Sequence, residues 1–279
     1  MSAVSPELVL PRHRPRRSPL APLATLAQRR FRLTARTPRE LLVPLITPVL
    51  FALVIAPALR SALHTSAAYE AYVAAGTIGL LVPLNTMFSG LSVIVDRETG
   101  AQRELLAAPI HRPLLVLGNL VVAFAITALQ IAVLVALALA RGIDFDPAAG
   151  KLVWFVAGLA VFTIGMYGVA ETLAARVPKA EEYIARVPAI AIVPWFLAGS
   201  LFPIGALPVG LTWIARFLPL THALALMRYG LLGNPSGLHS IWRGSDPTQM
   251  AALSLLVVAS FAALLSLVAV RTFTRAAQA

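Results

Sequence analysis

The chain is 279 residues long, 58% hydrophobic and only 13% charged, with a mean hydropathy of +0.81 and no cysteine. So little charge cannot cover a soluble domain of this size, which leaves an integral membrane protein of the helical kind and excludes disulfides and thiolate metal sites. The net charge of +11 comes almost wholly from arginine, since only Lys151 and Lys179 are lysines. Its distribution follows a membrane topology and not the basic patches of a nucleic-acid binder.

Residues 1–19 carry four prolines and four arginines and read as a disordered basic tail; Leu8-Val9-Leu10 is too short for a signal-peptide core. In residues 20–36, Leu20, Leu23, Ala24, Ala27, Phe31 and Ala35 share one helical arc, and Arg29, Arg32 and Arg36 lie opposite. That is the pattern of an amphipathic helix in the membrane interface, arginines toward the phosphates. Thr37-Pro38-Arg39-Glu40 is a capping box with proline at the first helical position, so a new helix starts there. The first span is expected over Leu41–Leu59 and the second over Ala71–Val95, joined by a short loop with Arg60, His64 and Glu70.

Residues 96–112 form a polar island with six charges, set between apolar runs long enough to span a bilayer. Thr99 and Gln102 match a second capping box, and Pro109 stops a helix near Ala108. A short capped helix outside the bilayer reads as a docking helix for a soluble partner. The third span, Leu114–Ala140, the loop Arg141–Lys151 with Asp144 and Asp146, and the fourth span, Leu152–Ala174, follow. A second island covers Arg176–Arg186, and the fifth span runs from Val187 to Ile204.

Between Gly205 and Leu232 the pattern breaks. Gly205–Pro208 is a turn, Val209–Leu218 a short helix, and Leu220–Leu232 another after Pro219. Ten helical residues reach about 15 Å, half of a hydrocarbon core of about 30 Å. The expectation is a re-entrant pair of half-helices buried against protein. The loop Gly233–Pro247 leads to the last span, Thr248–Val270. With both termini and both islands on one side, that side holds 17 of the 23 lysines and arginines, which makes it cytoplasmic by the positive-inside rule.

The chain has no P-loop and no G-x-G-x-x-G, so it binds no nucleotide in those ways. Its five histidines (13, 64, 111, 222 and 239) show no metal-binding spacing. Glu181-Glu182-Tyr183-Ile184-Ala185-Arg186 matches the E-E-x-x-x-R of intramembrane CAAX-processing metalloproteases. However, Phe217 and His222 miss the F-x-x-x-H context, and a solvated loop with a Glu182–Arg186 pair is the simpler reading. Glu70, Ala71 and Gly76 resemble an importer loop only faintly. Glu171 is the one carboxylate within a span; it is either a functional polar site or a group snorkelling to the interface. Arg216 and Arg228 read as anchors of the re-entrant region at the outer headgroups.

Together, the interfacial helix, Asp96-Arg97-Glu98-Thr99-Gly100 with Glu104-Leu105-Leu106 and Pro109, Pro203 through Pro208, and Leu218-Pro219-Leu220-Thr221-His222 with Arg228 carry a resemblance. Over residues 20–275 the chain resembles the permease of a type-2 ABC exporter, in the daunorubicin-resistance-like drug and lipid branch. The resemblance implies an all-α membrane fold: six spans, an N-terminal interfacial helix, a cytoplasmic coupling helix, and a re-entrant hairpin before the last span. The domain boundaries would be 1–19 (tail), 20–36 (interfacial helix) and 37–275 (permease). Glu98, Thr99, Arg103, Glu104, Leu105 and Leu106 would couple to the ATPase, and Pro203, Pro208, Pro219, His222 and Arg228 would form an outer gate. The chain would hold no cofactor, ATP and magnesium being bound by separate ATPase subunits. A second permease chain, identical or related, would complete a dimer in a bacterial plasma membrane, both termini cytoplasmic. The rivals are the CAAX-type metalloprotease and an ion-coupled secondary transporter; internal repeats and midplane acid–base pairs, which mark the latter, are missing from the sequence.

Overall fold

The computed structural model describes residues 24–29, 31–32, 45–101, 112–145 and 150–276, with backbone only for 112, 113, 115, 116 and 273–276. In chain order the helices are α1 (Leu45–Ala62), α2 (Ala67–Glu98), α3 (Arg112–Ala140), α4 (Leu152–Arg176), α5 (Ala180–Leu197), α6 (Val209–Phe217), α7 (Pro219–Leu232), α8 (Ser236–Ile241) and α9 (Pro247–Ala276). A short 3-10 turn, Ile204–Ala206, links α5 to α6. No strand occurs among the described residues. Five of the helices, α1 to α4 and α9, are long and apolar enough to cross a membrane singly.

The core is organised on α2, whose 32 residues reach about 48 Å, well beyond a hydrocarbon core of about 30 Å. It packs against α3, α4, α5 and α7. Between α2 and α3 the amide of Asn85 donates to Thr127 Oγ1 (3.1 Å) and Gln130 Oε1 (2.6 Å), a polar joint of the kind that holds helices together in lipid. The longest seam is that of α4 with α9. A Cβ at Gly168 would lie 2.8 Å from the Leu265 carbonyl carbon, so a glycine is needed for the two backbones to come this close.

In α1, residues Phe51–Ile55 wind as a π-helix, and Ala56 N–H bonds five residues back to Phe51 O. Pro57 follows and has no N–H to offer the carbonyl of Ala52, the next acceptor in that register. Arg141, at the end of α3, supplies the missing donor: its Nη1 lies 2.8 Å from Ala52 O. The same guanidinium meets Glu70 at 3.6 Å, and Arg60 bonds that carboxylate at 3.0 Å.

The fifth span begins earlier than expected. Helix α5 starts at Ala180, inside the second island, and ends at Leu197 with Pro188 and Pro194 within it. Glu181, Glu182 and Arg186 made this stretch read as a loop, yet they sit in its first two turns, with Arg186 3.9 Å from Glu182. These charges keep α5 out of the set that qualifies as spans on composition alone. Its ends are nevertheless tied to both ends of α2: Ala180 N–H to Glu98 and, beyond the helix, Gly199 and Leu201 carbonyls to Tyr72 and Tyr69.

The break before the last span is as expected, with α6 and α7 meeting at 78° around Leu218. Their burial differs from the expectation. Helix α7 is buried along nearly all its length, whereas α6 buries only Ala215 and exposes Val209, Trp213, Ile214 and Phe217. The bent pair is thus one core helix and one surface helix, since among the described residues none covers the apolar face of α6.

Candidate functional site

At the island end, α2 stops at Glu98. Thr99 closes it in αR conformation, its hydroxyl donating back to Val95 O at 2.8 Å, and Gly100 turns the chain with φ +80. Helical backbone resumes at Ala101, so Gly100 and not Thr99 precedes the next helix. The threonine hydroxyl is thus tied to the helix behind it, and Gln102, its expected partner in the capping box, lies outside the described residues. Arg103, Glu104, Leu105 and Leu106 lie outside the described residues, as does Arg36.

Arg97 and Glu98 grip the second island. Arg97 Nη1 donates to Ala174 O (3.1 Å), and Nη2 to Val177 O (2.6 Å) and Pro178 O (3.1 Å), so a cation sits on the last carbonyls of α4. Glu98 Oε1 accepts from Ala180 N–H at 3.3 Å, which puts a carboxylate at the start of α5. Each charge meets the helix end whose dipole it complements. One level deeper, Tyr183 donates to Met87 O at 2.9 Å, its hydroxyl lodged against Gly90. Glu171 is 5% exposed and accepts a hydrogen bond from Tyr167. It is therefore a buried group, beside Tyr183 of α5, and not one turned out to solvent.

At the opposite end a second arginine does similar work. Arg228, 5% exposed, donates from Nη1 to Gly199 O (2.8 Å) and from Nη2 to Ser200 O (2.8 Å) and Tyr72 O (3.3 Å). Its guanidinium lies 3.4 Å from the centre of the Tyr72 ring. It caps α5, whose chain turns at Gly199 with φ +79, and its donors are spent on backbone carbonyls. Arg216 is half-buried and stacks on Trp213. Tyr72 Oη also donates to Gly199 O (2.7 Å), and Trp195 Nε1 to Gly76 O (2.8 Å). A Cβ on Gly76 would stand 2.1 Å from Ser200 O, so the approach of α5 to α2 requires glycine.

The prolines of the expected gate set the path between these anchors. Pro203 precedes the 3-10 turn, Pro208 precedes α6, and Pro219 opens α7. His222 is buried one turn into α7. Its Nε2 lies 2.9 Å from Arg216 O, a pure acceptor, so that nitrogen carries the proton and Nδ1 accepts from Ser254 Oγ at 3.3 Å. Trp242 Nε1 donates to the same Ser254 oxygen at 2.8 Å, which completes a directional chain joining α6, α7 and α9. Arg228, Thr221, Tyr72, Pro203 and Ser236 line a cavity of about 90 Å³.

Of the interfacial residues, Arg29, Phe31 and Arg32 are exposed, and the side that meets protein is marked by Leu26, against Gly118 of α3. No group of three metal-binding side chains occurs among the described residues.

The family model for the ABC-2 type transporter matches residues 22–232, most of the chain. The chain belongs to the ABC-2 type transporter family. Among curated proteins, this family member is 26% identical over 214 residues to the "Putative transport permease ycf38" of Porphyra purpurea, covering 74% of this chain and 72% of that one. It is 35% identical over 80 residues to Nodulation protein J of Rhizobium leguminosarum bv. viciae, a match spanning only 29% of either chain. The ABC-2 type transporter family is one of transport permeases, a class that is not in itself an enzyme.

For this ABC-2 chain, sequence reasoning named Glu98, Glu171, His222 and Arg228 as candidates and gave no role to Arg97, Tyr72 or the Asn85–Gln130 joint. Asn85 and Gln130 could have been flagged as amides in mid-span. Arg97 and Tyr72 had no such signal, because their partners include backbone carbonyls far along the chain.

Proposed function

We propose that the chain is the membrane subunit of an exporter driven by separate ABC ATPase subunits, paired with a second permease and moving an amphiphilic drug, lipid or secondary metabolite outward. The match to the ABC-2 family over residues 22–232 carries this reading. In support, α2 extends past a bilayer's depth and ends in the polar island, at residues whose charges hold two other helix ends. ATP binding by the partner would press on the island and shift the helices between two packings. Helix α5, anchored at both ends of α2, supplies a sixth crossing; both termini are then cytoplasmic, in a bacterial plasma membrane. Glu171 is the intramembrane polar site of this scheme, the Pro203–Arg228 region the outer gate, and Arg29, Phe31, Arg32 and Arg36 the interfacial contacts. The chain itself holds no metal or cofactor in this reading.

The test is the docking helix. Truncating a buried apolar anchor commonly costs about 2 kcal/mol or more, enough to weaken association over about tenfold. Leu105→Ala with Leu106→Ala should leave membrane insertion intact, abolish co-purification with the ATPase, and remove the permease's stimulation of ATP hydrolysis. Normal stimulation in that variant would defeat the docking reading.

A further inference from the structure

We propose that Arg97 is a positioning residue for coupling: it transmits displacement of the first polar island to the turn between α4 and α5, so that the two islands move as one body. The inference rests on the exporter reading above and adds the mechanical path inside this chain.

Three observations carry it. First, one guanidinium holds three carbonyls, those of Ala174, Val177 and Pro178, and the next residue holds the N–H of Ala180. The whole connection from α4 to α5 is thus gripped by two consecutive residues of α2. Second, the grip is chemically directional. The cation faces a helix C-terminus and the anion a helix N-terminus, so sliding by one residue would set each against the wrong dipole. The planar fork of arginine spreads five donors over two terminal nitrogens and Nε in fixed directions, whereas an ammonium gathers its three on one freely rotating nitrogen. Third, the chain turns at Gly100, three residues past Arg97, and Thr99 seals α2 just before that turn. A push arriving from beyond Ala101 therefore enters α2 at the clamp. It leaves through α5, whose far end is held by Arg228 beside the cavity that includes Ser236. A clamp at each end makes α5 the connecting rod.

A merely structural staple would stabilise the fold without conveying nucleotide state, and the experiment separates the two. The chain has no cysteine, so Ser236→Cys gives it a single thiol on the far end. The complete complex with its ATPase is reconstituted in proteoliposomes. Labelling of that thiol by an impermeant maleimide is timed without nucleotide and after trapping with ATP and vanadate. With Arg97 intact the labelling rate should change several-fold on trapping. With Arg97→Gln the ATPase should still associate and hydrolyse ATP, while the change in labelling disappears; Arg97→Lys, keeping the charge but not the fork, should restore part of it. If Arg97→Gln does not accumulate, Arg97→Lys carries the test through a reduced response at unchanged hydrolysis. A full response in every accumulating variant overturns the proposal, as does loss of ATPase association, which would make Arg97 part of the docking surface. If the unsubstituted chain neither binds the ATPase nor responds, the exporter reading fails first and the clamp falls with it.

Discussion

Two arginines, Arg97 and Arg228, solve the same problem at opposite ends of the bundle. Each closes a helix C-terminus with a fork of donors onto carbonyls, and no carboxylate among the described residues pairs with either. They differ in burial. Arg228 is 5% exposed and stacked on Tyr72, whereas Arg97 is half-exposed, where bulk water can replace a bond it loses. The same fork should therefore cost more to lose at the far end than at the island end.

The comparison is broken most directly by removing both forks. Arg228→Gln should be the most damaging change, because buried carbonyls lose charged donors; a loss of about 3 kcal/mol or more is expected. Arg97→Gln, with water to substitute, should cost about 1 kcal/mol. Thermal unfolding of the purified variants measures both, and equal losses would refute the contrast.

Gly76→Ala sharpens it next. The added carbon collides with the Ser200 carbonyl that Arg228 holds, and overpacking of this kind costs about 1–3 kcal/mol. Gly100→Ala meets open space and suffers only from its positive φ, so about 1 kcal/mol is expected at the island end. If the order of these two melting temperatures is inverted, the far end is the softer one.

Of the same size is Ser254→Ala, which removes the donor to His222 and the acceptor for Trp242, about 1 kcal/mol in all. Nitrogen-15 spectra of labelled His222 should show the proton on Nε2 in the parent protein. A proton resident on Nδ1 would contradict the chain as drawn. The least effect belongs to Glu98→Ala. Its single bond is exposed, so a few tenths of a kcal/mol is the expectation, read from the same melting curves.

How far the sequence reached follows the same division. The apolar runs of α2, α3, α4 and α9 were legible because length and hydropathy suffice to mark a span. The break at Leu218 was legible because Pro219 cannot continue a helix through it. The start of α5 was not, since Glu181, Glu182 and Arg186 look like loop charges until Glu98 is seen holding the helix start. Nor was the burial of Arg228. A sequence shows an arginine's charge but not that it is spent on backbone carbonyls, and on the far side this use recurs: Lys151 reaches Gly233 O at 3.4 Å, and Arg141 reaches Ala52 O. The contrast between buried α7 and exposed α6 was illegible for a related reason, as both are apolar and only tertiary packing distinguishes them.

The π-helix at Phe51–Ile55 bears on how this chain should be aligned with others. A π-turn holds one residue more than an α-helix of the same path, so within α1 it acts as a single-residue insertion. Each residue of an α-helix advances about 100° around the axis. Aligning the first crossing without a gap to a relative that is α-helical throughout would misassign, by about that angle, every bundle-facing and lipid-facing position on one side of the insertion. The gap belongs between Phe51 and Ile55, where Pro57 withholds a donor and Arg141 replaces it.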